Sequence, residues 1–285
     1  MRIGMKLDAD FDRSAPYQRL YDTTDVPTRL RDLGVEAVEI PLRPESDLEH
    51  VSGQARWCQR AGLRVSFHPY SEQHAANPAH FTGQSSAAAA THARFLAIAG
   101  TVAADQGDTV VNIHPAAVRQ EGWSRRTLVE RSVAFFEWAR SWCDAHAGDV
   151  RPVAELQVAP FEDEPVIRIG DDPAELAEVI AHSGVGACWD VGHAVWNHRR
   201  FATEEEPDAA LLARIAHVHC HDVADTDHHP PRHGDAPWQR FIRRLAATGY
   251  ERTVIIEVAP GTFIDAGGMP AVEEAIAAVR TAALT

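Results

Sequence analysis

Closely spaced cysteines are missing from this chain, and so is any excess of basic residues. The four cysteines, Cys58, Cys143, Cys188 and Cys220, stand far apart and form no CxxC pair. Free thiols in a reducing cytoplasm are the simplest reading, with a thiolate metal ligand as the lesser alternative. The formal charge of −14 speaks against a broad polyanion-binding surface, which needs clustered Lys and Arg. It speaks less strongly against a small metal-lined nucleic-acid site, because net charge reports the whole surface. The N-terminal stretch shows no basic start followed by a long apolar region, and no apolar run approaches the ~20 residues of a membrane span. The expectation is a cytoplasmic protein without a membrane partner. Also absent are a low-complexity linker and a glycine-rich phosphate loop; Ile3-Gly4-Met5 is not one.

What the sequence does have is repetition. Eight short apolar segments, at residues 2–7, 36–40, 63–68, 109–114, 152–157, 186–190, 216–220 and 253–258, are each followed by a helix-like stretch. Several are continuous apolar runs, such as Val254-Ile255-Ile256, which suits a parallel sheet buried on both faces. Residues 85–104 are Ala-rich, and 124–146 carry apolar residues at helical spacing. Asp171-Asp172-Pro173 and Asp235-Ala236-Pro237 read as helix starts, and Gly34, Gly62, Gly184 and Gly249 as helix ends. Strand then helix, eight times without a break, predicts a single (β/α)8 barrel over residues 1–285. The doubly wound open sheet is the alternative.

In such a barrel the carboxyl ends of the strands form one rim, where the active site sits. His68 and His114 end the third and fourth segments, and Glu155 lies late in the fifth. Asp190 and His193 end the sixth, His219 the seventh and Glu257 the eighth. Six histidines crowd residues 217–233, where Asp227 and His229 form an Asp-x-His pair. Imidazole and carboxylate suit zinc, manganese, iron or cobalt. Any one of these histidines alone is better read as an ordinary polar group, and Glu155 or Glu257 alone as half of an ion pair. A glutamate inside Val254-Ile255-Ile256-Glu257, however, costs several kcal/mol unless it is paired or metal-bound. Nine such residues on one rim point to a metal site. His217 shares strand parity with His219 and faces inward one layer lower, while His221 and His233 are candidate partners of the ligands. Histidines 50, 74, 80, 92, 146, 182 and 198 lie in helix or loop patterns and read as surface residues. Three long connections, 70–84, 158–170 and 222–237, are candidate lids, with Tyr70, Phe161 and Trp196 as pocket linings.

The series Glu155, Asp190-x-x-His193, His219 and Glu257 resembles the xylose isomerase-like barrel superfamily, which includes sugar isomerases and epimerases and the endonuclease IV family. The resemblance covers essentially the whole chain. The segment 216–222 looks like the seventh-strand motif of the epimerases, with His221 where a lysine is common. The resemblance implies that Glu155, Asp190, His219 and Glu257 hold one divalent ion. It also implies that Glu155 and Glu257 exchange a proton next to a carbonyl, with His193 anchoring a substrate hydroxyl. Endonuclease IV enzymes hold three zinc ions through five further ligands, and His68, His114, His193, Asp227 and His229 stand as candidates for all five. Departures run both ways. Residues 41–45 lack the loop that enters DNA in those enzymes, and the epimerases' glycine-rich turn survives only as His233-Gly234-Asp235. The expected function is isomerisation or epimerisation of a small sugar-like substrate, with possible homo-oligomers. The alternatives are a zinc phosphodiesterase on abasic DNA and a non-catalytic accessory barrel.

Overall fold

The computed structural model describes residues 1–285 except 72, 73, 120, 162, 163, 225, 233–236 and 285. Its strands are β1 (Arg2–Lys6), β2 (Ala37–Leu42), β3 (Arg64–Pro69), β4 (Thr109–Ile113), β5 (Ala117–Arg119), β6 (Val150–Glu155), β7 (Val166–Arg168), β8 (Gly186–Asp190), β9 (Ile215–Cys220) and β10 (Thr253–Ile256). Eight of them, β1-β2-β3-β4-β6-β8-β9-β10, pair in parallel and close into a barrel. The fold is the (β/α)8 barrel. The expected segments match these eight with shifts of one or two residues. The antiparallel pair β5–β7 was not expected; it sits inside the connections after β4 and β6.

Helices clothe the barrel: α1 (Ala15–Tyr21), α2 (Val26–Asp32), α3 (Leu48–Arg60), α4 (Ala87–Gln106), α5 (Arg125–His146), α6 (Pro173–Ser183), α7 (Val191–Phe201), α8 (Ala209–Leu212), α9 (Pro237–Ala247), α10 (Pro260–Asp265) and α11 (Met269–Leu284). Local chemistry sets their ends. Asp172 caps α6 by accepting from Ala174 N, Pro173 opens the helix, and Gly184 closes it at φ 79°, where a side chain would be strained. The start read at residues 235–236 lies outside the described residues. Helix α4 corrects the expectation about apolar runs: residues 87–106 have the length and composition of a membrane span. Here the apolar face of α4 packs on β3 and β4 and against α5.

Two features position the site. Inward-pointing residues alternate along each strand, so Glu39 and His219 point into the barrel while Val38 and Val218 face the helices. Between β8 and β9 the register slips at Ala187/Cys188, setting His217 beside Cys188 and His219 beside Asp190.

Candidate metal centre

Four strand ends converge at the barrel mouth. Glu155, Asp190, His219 and Glu257 are all buried, and one donor atom from each lies within 4.8 Å of the others. His219 Nδ1 stands 2.6 Å from Glu257 Oε2, 3.3 Å from Glu155 Oε1 and 3.7 Å from Asp190 Oδ2. Those four atoms, Glu155 Oε1, Asp190 Oδ2, His219 Nδ1 and Glu257 Oε2, lack a hydrogen-bond partner. Three carboxylate oxygens and an imidazole nitrogen gathered at one buried point form a donor set that a divalent cation fits.

The other atom of each group is held in place. Glu257 Oε1 accepts from Lys6 Nζ at 3.0 Å and from the Tyr70 hydroxyl at 3.1 Å. Glu155 Oε2 accepts from Asn112 Nδ2 at 2.6 Å. Asp190 Oδ1 accepts the His193 amide at 2.8 Å, and His221 Nε2 lies 3.0 Å from it. The backbone N–H of His228 donates to His221 Nδ1 at 2.9 Å, so the neutral His221 ring carries its proton on Nε2, facing Asp190. His219 Nε2 donates to Glu39 Oε1 at 2.7 Å. Partners of this kind orient metal ligands and fix their tautomers.

Electrostatics follow this geometry. Burial pushes the Glu155 carboxyl up, but His114, His68 and His219 together draw it well below the usual range. Glu257 behaves alike, with burial outweighed by His219 and Lys6. Burial would discharge His219, yet Cys188, Glu257, Glu39 and Glu155 around it hold it well above the ordinary imidazole value. His68 is lowered to about 4, chiefly by burial.

The remaining expected residues fall into three places. His68 Nε2 and His114 Nε2 stand 3.3 and 3.2 Å from Glu155 Oε2, and one donor atom each of His68, Glu155 and His219 lies within 4.8 Å of the others. His193 donates from Nδ1 to the Leu156 carbonyl at 2.9 Å, which leaves Nε2 as an acceptor at the cavity wall. The Asp227 and His229 pair divides. Asp227 Oδ1 meets His228 Nδ1 at 3.2 Å, whereas His229 Nε2 meets the Thr226 hydroxyl at 3.1 Å and its backbone pairs with Asp222. His228, in the left-handed region at φ 58°, is the one that reaches inward. It stacks on His221 at 4.2 Å and lies 3.7 Å from Glu257 Oε2. His217 lies below His219, buried against Glu39, and His233 lies outside the described residues.

A cavity of about 180 Å³ opens onto the cluster, lined among others by Lys6, Tyr70, Gln157, Arg168, His193 and His228. Tyr70 is a lining residue. Phe161 and Trp196 instead pack on each other beside the mouth, and Phe161 borders a separate pocket of about 570 Å³. The reading from the sequence missed Glu39, Lys6, Asn112, Arg168 and the choice of His228. The first three carried a usable signal: each is polar at an inward position of an apolar strand, the same argument that found Glu257. The four cysteines are free and buried, and no thiol joins a ligand cluster among the described residues.

Comparison with known proteins agrees with this architecture. The chain superposes on a D-tagatose 3-epimerase-like protein with a TM-score of 0.63 and 17% identity, over 99% of each chain. Against an L-ribulose 3-epimerase the TM-score is 0.68 at 17% identity, over 99% of this chain and 94% of that one. Against endonuclease IV from Thermus thermophilus it is 0.53 at 17% identity, over 97% of this chain and 99% of that one. At such identities the likeness establishes the fold. No curated protein matches the sequence. The sequence model of one family, described as the xylose isomerase-like TIM barrel, matches residues 27–282, and the chain belongs to that family.

Proposed function

We propose that this chain is a divalent-metal-dependent isomerase or epimerase of a small hydroxy-carbonyl compound of the sugar type, with the whole barrel acting as one catalytic unit. The observation that carries this reading is the convergence of four buried donor atoms, one each from Glu155, Asp190, His219 and Glu257, that make no hydrogen bond. Glu155, Asp190, His219 and Glu257 would hold the ion, which supplies polarisation of the substrate's carbonyl and hydroxyl oxygens. Zinc, manganese, iron and cobalt all suit such a donor set.

Proton transfer falls to Glu155 and Glu257, which flank the cluster from β6 and from the end of β10. One carboxylate removes the proton beside the carbonyl, and the other, after taking a proton from a substrate hydroxyl or from solvent, delivers that proton to the opposite face of the same carbon or to its neighbour. Each has its outer oxygen held by hydrogen bonds, so neither rotates away during the transfer. His193 offers Nε2 to a substrate hydroxyl, and the small cavity admits a compact polar molecule. The epimerase names of the similar structures support this class of reaction.

A second reading, a zinc phosphodiesterase, draws on one observation: His68 and His114 both face Glu155 Oε2, so these residues would hold a further ion. One experiment separates the two. Metal-loaded protein is incubated in heavy water with a panel of ketoses and aldoses, and separately with an abasic-site duplex. Deuterium entering beside a sugar carbonyl, and lost in Glu155→Gln and Glu257→Gln, is the expected result. Strand cleavage dependent on His68 and His114, without exchange into any sugar, would replace the isomerase reading with the phosphodiesterase. Neither signal would leave an accessory barrel.

A further inference from the structure

Glu39 sits on β2 inside the run Val38-Glu39-Ile40-Pro41-Leu42, every member of which is buried. It lies too deep to line the cavity. A carboxylate in this place carries a large desolvation cost, and an apolar residue would fill the space without it. Both its oxygens are engaged by imidazoles of a single strand across the barrel. Oε1 accepts from His219 Nε2 at 2.7 Å and Oε2 from His217 Nε2 at 2.8 Å. The Ser66 hydroxyl donates to Oε2 at 3.3 Å.

The consequence lies on the far side of the His219 ring. A neutral imidazole carries one proton, and the nitrogen without it is the ligand. With Nε2–H committed to Glu39, the lone pair stands on Nδ1, among the unpartnered oxygens of Glu155, Asp190 and Glu257. The opposite tautomer would place a hydrogen on Nδ1 and withdraw one donor from the set. His217 completes the arrangement: by taking Oε2 it fixes the carboxylate plane, so that Oε1 meets His219.

We propose that Glu39, braced by His217, is a positioning residue. In this role it selects the tautomer and ring orientation of His219 and thereby sets the divalent-ion affinity of the centre. The affinity part rests on the metal reading above; the tautomer part does not.

The test uses Zn²⁺ alone as probe, titrated in competition with a chromophoric chelator against the full-length wild type, Glu39→Gln, Glu39→Asp and His217→Gln. Glu39→Gln must present its amide nitrogen to one of the two histidines, so Zn²⁺ affinity is expected to fall ~10–100-fold, as it does when such a partner is lost elsewhere. Glu39→Asp should recover part of the loss, and His217→Gln, which leaves the His219 bond in place, should lose less than Glu39→Gln. The unfolding midpoint of chelated Glu39→Gln should fall, because one buried imidazole N–H loses its acceptor, so affinities are compared below the melting range of every variant. Wild-type zinc affinity in Glu39→Gln, or loss of stability without loss of affinity, overturns the proposal. Nitrogen-15 shifts of the His219 ring in the zinc-loaded wild type give an answer even where the variants fail to fold: Nε2 protonated supports the proposal and Nε2 bare overturns it. Should the wild type take up no Zn²⁺, the metal reading fails. Ring shifts of the metal-free wild type, recorded above the pH at which His219 loses its second proton, then test Glu39 separately: Nε2 protonated supports its role and Nε2 bare overturns it.

Discussion

His92 on α4 and His219 on β9 are both fully buried, and their environments drive them to opposite ends of the imidazole range. His92 stands against Phe95 and Phe135, with the Ala76 carbonyl 3.1 Å from Nε2. Burial without an opposite charge lowers it to about 4. His219 has the carboxylates of Glu39, Glu155 and Glu257 within 2.6–3.3 Å and is held well above the ordinary value. Burial alone discharges an imidazole, whereas a carboxylate cage around an equally buried one retains positive charge. The mouth of the barrel thus gathers buried carboxylates around one imidazole, and the helical layer is an apolar filling. His92 also corrects the expectation that it is a surface residue, because the α4 face that carries it packs inward.

The hardest way to break this comparison is to take carboxylates out of the cage. Glu155→Gln and Glu257→Gln are each expected to lower deuterium exchange into substrate by about 10³-fold or more, within the upper range for a lost general acid or base. Retention of more than a tenth of the wild-type rate in either variant would remove that residue from the proton transfer.

On the helical side the effect is on stability. The folded-state value of His92 is depressed to about 4 against an unfolded value near 6.5, so its contribution is intact above pH 6.5 and is lost as pH falls toward 4. At pH 4.5 the wild type should have lost roughly 2–3 kcal/mol through this residue relative to pH 7.5. In His92→Leu that increment disappears from the difference between urea melts at the two values. An unchanged pH slope would show that His92 is not held neutral by its surroundings.

Gly192 joins the cage through His221. A Cβ at this position would stand only 1.9–2.4 Å from the His221 ring, itself buried over Asp190. Gly192→Ala is therefore expected to cost ~1–3 kcal/mol by overpacking and to weaken Zn²⁺ binding as His221 is displaced from Asp190. A normal melting curve with normal zinc affinity would mean that the ring moves aside freely.

The mildest change sharpens the electrostatic side. Lys6 neutralises part of the cage through Glu257 Oε1. Lys6→Met should bind Zn²⁺ more tightly, on the order of tenfold, because a competing positive charge is gone. Weaker binding would show that Lys6 matters as a geometric clamp on Glu257 rather than as a charge.

The chain by itself determined the barrel and most of the cage. Strand identity is a local property, written in apolar runs such as residues 253–256, and position at a strand end places Glu155, Asp190, His219 and Glu257 on one rim whatever the exact closure. The helix boundaries at Asp172 and Gly184 were equally local, since capping acts within a few residues. Two kinds of fact were decided only by the tertiary structure. Cross-barrel partners depend on register and closure. Glu39 meets His217 and His219 from 178 and 180 residues away, and Lys6 meets Glu257 across the β1–β10 seam. The choice between adjacent histidines in a loop has no period to read. His228 turns inward and His229 outward because one residue adopts a left-handed backbone while the other pairs with Asp222, and both outcomes are compatible with the sequence Asp227-His228-His229. Periodicity says which face of a strand a residue occupies, and only the closed barrel says what stands opposite.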